Sequence, residues 1–459
     1  MADFTPFEAK MRKDGQPELA IAAFADAYAQ LAAGATGLIP ESDLTPVDAL
    51  PTLTDLAPYR ARGEADLDRL VVIKLNGGLG TTMGLERAKS LLPVRGQRRF
   101  IDLIADQVVD LRGRFSARLP LVTMDSFRTQ ADVREALAGH AVTMQDIAAS
   151  FLQHRVPKVL VHDLSPATHE DEDLTWCPPG HGDLYLALMT SGLLDALLDS
   201  GLTHAFVSNA DNLGATPSPE VFGWMLDKEL PFIMECATRS AADMKGGHLA
   251  RGPRGQLLLR EVAQCPEADL PAFQDIGYHR FFNTNNLWVD LRLVRELITT
   301  RKGVLGLPLI RNKKPLDPAR PVGVGATSVY QLETAMGSAI SLFAGAAAVE
   351  VGRDRFLPVK STNDLLVMMS DVYALGDDSR LMAQARPPIV DLDPRYYRTL
   401  EGFEARFDLD APPSLREASR FVVRGDVRFG PGVVVRGEVE LSHTGEAPLV
   451  LREVTLTSA

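Results

Sequence analysis

Residues 70–94, LVVIKLNGGLGTTMGLERAKSLLPV, run an apolar, β-branched segment straight into a glycine-rich loop and a lysine. This junction limits the chain to folds in which a buried strand delivers a loop to a ligand. Leu70, Val71, Val72 and Ile73 form the continuous apolar run of a strand covered on both faces. Gly77, Gly78, Gly80 and Gly84 allow positive φ and a close approach of backbone N–H groups to an anion, and Lys89 adds a point charge. The loop by itself reads equally as a nucleotide site or as a plain glycine turn.

Spacing excludes the two commonest phosphate loops. No G-x-x-x-x-G-K-[ST] occurs, so the chain is not a P-loop NTPase. Gly78, Gly80 and Gly84 miss the dinucleotide pattern G-x-G-x-x-G by one residue. A dinucleotide site also needs an acidic residue closing a second strand. Asp102, near the required distance, lies instead within a helical pattern of Phe100, Leu103, Ile104, Val108 and Leu111.

At 459 residues the chain has room for two or three domains. A net charge of −12 argues against nonspecific nucleic-acid binding and against an anionic membrane surface, so any anionic substrate must be met by local cations and backbone N–H groups. Cys177, Cys236 and Cys265 are odd in number and lack metal-ligand spacing, which suits free thiols in a reducing compartment. The first residues carry no signal-peptide core, and the longest small-apolar stretch, from Ala339, is too short to span a bilayer. The expectation is a cytoplasmic protein.

Along the chain, a helical pattern through Leu19, Ile21, Phe24, Tyr28 and Leu31 leads into a proline-bearing link, giving an N-terminal helical arm or cap over residues 1–60. Strand-like and helix-like segments then alternate, as in an α/β domain, over residues 61–375. Strands are expected at LVVIKL, LPLVTM, THAFVSNAD and PFIMECAT, with one helix from Leu184 to Leu198 closed by Gly201. Ligands of such sheets bind beyond the C-terminal strand ends, which points to residues 76–80, 124–126 and 209–212. Residues 376–459 change period: VVRGDV from Val422 recurs as VVRGEV from Val434, and Val427, Val433 and Val439 stand six apart. Short valine rungs with glycine corners suggest a small β-helix or a stack of hairpins, serving as a packing or assembly surface.

Several polar segments gain meaning together. WCPPGHGDLYLAL presents His181 and backbone N–H groups at a helix start, although a lone His181 also suits a structural histidine and Asp183 an N-cap. In SNADNLGA, Asp211 follows a strand, a placement that suits Mg²⁺ and equally an Asx turn. FFNTNNLWVDL packs asparagines whose amides suit sugar hydroxyls, MKGGHL adds a glycine pair, and DRFLPVKSTNDLL sets Lys360 ahead of the candidate helix caps 361–363.

The ordered set KLNGGLGT, AKSLL, LVTMDSF, PPGHGD, SNADNLGA, KGG, FNTNNLW, QLETAMGSAI and FLPVKSTNDLL resembles the eukaryotic-type UTP–glucose-1-phosphate uridylyltransferase (UDP-glucose pyrophosphorylase) family over about residues 10–450. The resemblance implies an α/β fold with a glycosyltransferase-A-like (Rossmann-like) nucleotidyltransferase domain and a C-terminal left-handed β-helix. It implies the Mg²⁺-dependent conversion of UTP and glucose 1-phosphate to UDP-glucose and pyrophosphate. Leu75, Asn76, Gly77 and Gly78 would then form the nucleotide loop, with Gly80 and Thr81 continuing it along the phosphates. Met124, Gln153 and Gly180 would line the uracil, and Asn209 the nucleotide or sugar. His181 would touch the sugar phosphate, Gly247, Asn283 and Asn285 the glucose, and Asp211 the metal, with Lys89 and Lys360 at the reacting phosphates. A homo-oligomer through the C-terminal domain is a further implication.

The chain departs from the family pattern at Ala88, where a proline is common, at Asp125, where Asn is usual, and around Gln153 in FLQHRVP. Two rival readings remain: a pyrophosphorylase for another UDP-sugar, and a sugar-nucleotide sensor without catalysis. The sensor would have lost Lys89, Asp211 or Lys360, and all three are present.

Overall fold

The computed structural model describes residues 3–80, 83–318 and 327–458. It is a mixed α/β protein whose chain weaves between two compact units: residues 1–75, 146–207 and 217–352 form the first, and residues 76–145, 208–216 and 353–459 the second. No described helix is long and apolar enough to cross a membrane.

The first unit is built on a twisted mixed sheet. Leu70–Leu75, whose Leu70, Val71, Val72 and Ile73 are fully buried, lies beside His204–Asn209. That strand pairs antiparallel with the long strand Phe281–Asp290, through His204↔Asp290 to Val207↔Leu287. Phe232–Thr238 runs antiparallel along the other edge of Phe281–Asp290 and parallel to Ala347–Glu350. A hairpin of His248–Arg251 and Leu257–Arg260 joins through His248↔Phe282.

The N-terminal segment folds as two helices, Thr5–Lys13 and Glu18–Ala32. Their apolar faces, Phe7, Met11, Ile21, Phe24, Tyr28 and Leu31, share one core with Val156, Trp176, Leu309 and Leu332. The expected helix 184–198 divides into Leu184–Thr190 and Leu193–Asp199. Gly192 at φ +75° breaks it, helped by the Ser191 hydroxyl, which donates to the Leu188 carbonyl. Gly201 closes the second helix with a Schellman-type bond from Leu202 N–H to the Leu197 carbonyl.

In the second unit, Leu121–Asp125 is buried throughout, and the helix Phe100–Phe115 buries Phe100, Leu103, Ile104 and Val108 of the predicted stripe, with Leu111 half-buried. Asp102 closes a capping box with Arg99, accepting from its backbone N–H at 2.9 Å and its guanidinium at 2.7 Å. Both carboxylate oxygens therefore serve the helix start.

The C-terminal strands Ile389–Leu392, Ser414–Arg424, Val434–Ser442 and Thr455–Thr457 pair in that order, all parallel, and Val427–Phe429 pairs parallel with Leu449–Leu451. Parallel pairing excludes the hairpin alternative, because a tight hairpin joins only antiparallel strands. Phe421 faces Val439, eighteen residues on, so the six-residue valine period is laid down three steps to a layer. The sequence repeat at twelve residues is thus not the pairing register. Phe421, Val422, Val427, Phe429, Val433, Val435 and Val439 fill the space between layers.

Gly425, at φ +94°, forms a corner of this stack. A Cβ there would stand 1.9 Å from the His443 carbonyl oxygen. Gly425→Ala is expected to lower unfolding free energy by about 2 kcal/mol or more, from the left-handed backbone together with the clash, as read by chemical denaturation.

Candidate functional site

In the second unit, the glycine loop leaves the end of the Leu70–Leu75 strand and is tied down at its first residue. Asn76 donates its backbone N–H to the Met124 carbonyl at 2.8 Å and its amide to Asp125 Oδ1 at 3.0 Å. The other oxygen of Asp125 accepts from the Thr123 hydroxyl at 2.9 Å. The unusual carboxylate at position 125 therefore anchors the loop.

Gly78 and Gly80 differ in kind. Gly80 sits at φ +64° with Leu85 2.7 Å from where a Cβ would be, so the fold itself requires glycine. Gly78 is exposed, lies outside the left-handed region, and a Cβ would meet nothing within 4 Å. Thr81 lies outside the described residues.

Lys89 begins a short 3₁₀ turn, Lys89–Leu91, and its backbone N–H returns to the Gly78 carbonyl at 3.2 Å. Its Nζ reaches Asp211 Oδ2 at 2.6 Å, with the two side chains 16% and 20% exposed. Ala88 holds φ −55°, within the range a proline ring imposes, so the missing proline leaves the approach to Lys89 in the same conformation.

Asp211 follows the strand end at Asn209, in a turn closed by Asn212 N–H onto the Asn209 carbonyl at 3.2 Å. The segment before Lys360 lies along this turn: Leu357 N–H donates to Asn212 Oδ1 at 2.8 Å, and Val359 N–H to the Asp211 carbonyl at 3.3 Å. Lys360 is exposed, its Nζ 6.0 Å from the Phe356 ring centroid, and the next residue, Ser361, forms a capping box with Asp364. The loop, Lys89, Asn209, Asp211 and the Lys360 segment thus gather in one unit.

The first unit carries Leu75, Gln153, Gly180, His181, Gly247, Asn283 and Asn285. Pro179–Asp183 interlocks with the segment after Ser328–Glu333. Thr334 N–H donates to the Pro179 carbonyl at 2.9 Å, and Gly182 N–H to the Thr334 carbonyl at 2.9 Å. Gly180, at φ +81°, leaves no room for a side chain, since a Cβ would lie 2.4 Å from the Thr334 oxygen. Met336 N–H donates to His181 Nδ1 at 2.9 Å, which fixes the proton of the neutral ring on Nε2. Burial of that ring pushes its pKa down to about 4, so His181 is a neutral hydrogen-bond donor at physiological pH. Gln153 donates to the Gly180 carbonyl at 3.4 Å.

The asparagines sit on a bulge. Glu235 faces Asn286 while the adjacent Cys236 faces Asn283, so Thr284 and Asn285 are extra residues in the long strand. Asn285 takes φ +60°, a left-handed backbone of the kind that collects at functional sites. The Asn283 amide donates to Asn285 Oδ1 at 2.8 Å, and Asn285 N–H to Asn283 Oδ1 at 2.9 Å. Gly247 accepts from Asn283 N–H at 3.0 Å, and a Cβ on it would strike the Glu261 carboxylate at 2.5 Å.

Sequence reasoning passed over Glu235, Glu261, Thr334 and Met336. The last two lie in QLETAMGSAI, a motif recognised without roles for its residues. Glu235 is fully buried beneath the bulge and accepts from Asn286 Nδ2 and Trp288 Nε1, each at 3.0 Å, while its carbonyl accepts from the Thr284 hydroxyl at 2.7 Å. Nothing in PFIMECAT distinguishes such a carboxylate from an edge residue.

A mixed α/β fold, with a glycine loop and a lysine–aspartate pair in one unit and a bulged sheet of asparagines in the other, defines a nucleotidyltransferase-like protein. Residues 22–436 match the family model described as UTP–glucose-1-phosphate uridylyltransferase. The enzyme of that name from Solanum tuberosum is 38% identical over 409 residues, covering 87% of this chain and 83% of the relative. A UDP-glucose pyrophosphorylase variant from Leishmania major, solved in complex with UDP-glucose, superposes with a TM-score of 0.90 at 40% identity, covering 100% of this chain and 99% of that one. A UDP-glucose phosphorylase from Trypanosoma brucei gives 0.87 at 40% identity, over 99% of each chain. The chain belongs to the UTP–glucose-1-phosphate uridylyltransferase family.

Two substitutions separate ligand contacts from scaffold. Gly78→Ala is expected to leave the thermal midpoint within about 1 °C, because the added methyl group meets no protein atom within 4 Å, so that a fall of about tenfold or more in kcat/KM for the nucleotide would mark a ligand contact. Glu235→Gln places an amide N–H against a buried donor and is expected to cost about 1–3 kcal/mol in a denaturation experiment.

Proposed function

We propose that the chain transfers the uridylyl group of UTP to glucose 1-phosphate, giving UDP-glucose and pyrophosphate, by one in-line displacement. A phosphate oxygen of glucose 1-phosphate forms a bond to the α-phosphorus of UTP as the bond from that phosphorus to the bridging oxygen of pyrophosphate breaks. The attacking oxygen is already anionic at neutral pH, so no general base is required. The barrier lies in aligning two polyanions and stabilising the leaving charge. The observation that carries this reading is the Lys89–Asp211 pair at the loop, in a chain matched over nearly its whole length by enzymes of this name.

In this reading Leu75, Asn76, Gly77, Gly78, Gly80 and Thr81 follow the phosphates, with Asn209 beside them. Lys89 leaves Asp211 for the triphosphate, and Lys360 meets the reacting phosphates. The described residues hold no cluster of three or more His, Cys, Asp or Glu side chains able to bind a metal. A lone carboxylate such as Asp211 nonetheless fits Mg²⁺, which takes one or two carboxylates and completes its shell with substrate phosphates and water. When bound, Mg²⁺ would neutralise charge on the triphosphate.

Met124, Gln153 and Gly180 serve the uracil, and the Nε2–H of His181 donates to the sugar phosphate. Gly247, Asn283 and Asn285, backed by Glu261, serve the glucose hydroxyls. We read the parallel C-terminal layers as a left-handed β-helix and as the surface of a homo-oligomer, and the chain as cytoplasmic.

Pyrophosphate release from UTP, measured with glucose, galactose and N-acetylglucosamine 1-phosphates, tests this reading. Glucose 1-phosphate is expected to give the highest kcat/KM. A preference for another sugar overturns the substrate, and release with none overturns the activity. Asp211→Ala is expected to abolish Mg²⁺-dependent turnover, and Lys360→Ala to lower kcat more than it weakens sugar binding.

A further inference from the structure

Asp183 stands at the N-cap of Leu184–Thr190, where an aspartate ordinarily accepts from the first helical N–H groups, yet its side chain makes no such bond. Both of its oxygens go to one residue twenty-nine positions earlier. Oδ2 accepts from His154 N–H at 2.7 Å, and Oδ1 from His154 Nδ1 at 2.8 Å. The far ring nitrogen, Nε2, lies 2.8 Å from the Thr190 hydroxyl, whose proton goes to the Leu186 carbonyl at 2.9 Å. Nδ1 thus faces the carboxylate and Nε2 the hydroxyl, and the two side chains are only 8% and 4% exposed.

This pair joins the residue after Gln153 to the Gly180 turn, beyond the short antiparallel pairing of Val156–Pro157 with Trp176–Cys177. His154 directly follows Gln153, and Asp183 closes the turn that begins at Gly180. Between those two ends the Gln153–Gly180 hydrogen bond is long, at 3.4 Å. That bond nonetheless decides what the glutamine can read. A free Gln amide flips and presents either a donor or an acceptor, and so accepts uracil, with its N3–H donor, or cytosine, with its N3 acceptor. A carbonyl only accepts. With Gly180 O taking Nε2, Gln153 Oε1 is left to accept from an N3–H group, which uracil has and neutral cytosine lacks.

We propose that Asp183 and His154 are positioning residues for base selection: by clamping the Gln153 strand end to the Gly180 turn, they hold the glutamine amide in the orientation that admits uracil and rejects cytosine. The proposal rests on the uridylyltransferase reading above and on Gln153 as its base contact. Asp183 and His154 touch neither substrate; they act through Gln153 and Gly180.

The experiment compares full-length Asp183→Asn and His154→Ser with the parent, reading kcat/KM for UTP and for CTP, KM for glucose 1-phosphate, and calorimetric affinity for UDP and CDP. The UTP-over-CTP preference is expected to fall at least about tenfold in both variants, with KM for glucose 1-phosphate within about twofold. Thr190→Val should shift the preference in the same direction by less. If Asp183→Asn fails to fold, His154→Ser, which keeps the backbone N–H to Asp183, decides the matter alone. Loss of stability or of overall turnover with an unchanged UTP-over-CTP preference overturns the proposal while leaving the enzyme reading standing. A parent chain that transfers no uridylyl group to any sugar phosphate overturns both.

Discussion

The ion pair between Lys89 and Asp211 is the contact on which the candidate site of the second unit depends. It spans 122 residues of sequence, closes at 2.6 Å, and ties the glycine loop to the turn after Asn209. It is partly exposed, so its net contribution to stability is modest. Its value lies in position. In the proposed reaction, Lys89 would turn from Asp211 to the triphosphate, which carries more charge than one carboxylate. The turn bearing Asp211 is in turn fixed by Asn212, which accepts from Leu357 and donates to the Arg355 carbonyl at 3.1 Å.

A second regularity runs through the architecture. Three buried carboxylates stand close to the proposed ligand contacts, and each is consumed by the scaffold: Asp125 by Asn76 and Thr123, Glu235 by Asn286 and Trp288, Asp183 by His154. What they hold in place is neutral or donating: the first residue of the glycine loop, the bulged asparagines and the Gly180 turn. For polyanionic substrates this division makes electrostatic sense, because a carboxylate turned inward orients donors while its charge is met by those hydrogen bonds. The chain handles anions with few cations by aiming its dipoles.

Much of this was legible in the sequence because it is local. The apolar run 70–73, the helix stripe from Phe100, the Gly201 stop and the Ser361 cap are set by neighbours within a few residues, and the structure forms each of them. What escaped is nonlocal or depends on geometry. Gly192 splits a helix whose apolar pattern continues across it. The valine repeat shows its period but not its register, since Phe421 pairs with Val439 eighteen residues on and Val427 with Leu449 twenty-two on, neither of them twelve. Asp183 carries every mark of an N-cap, and its diversion to His154 needs the two segments already in contact. Glu235 looks like an ordinary strand residue until the bulge above it is seen. The order of nine motifs reached the family where no single motif did, because each motif taken alone has a bland alternative.

The central claim is that these residues position and neutralise, and that no side chain becomes covalently attached to the nucleotide. The stereochemical course at the α-phosphorus tests it most directly: one diastereomer of UTP carrying sulfur on that phosphorus, turned over with glucose 1-phosphate, and the configuration of the resulting thio-UDP-glucose assigned by ³¹P NMR. A single in-line displacement predicts inversion. Retention would require two displacements and a uridylyl-enzyme intermediate, and would contradict the account.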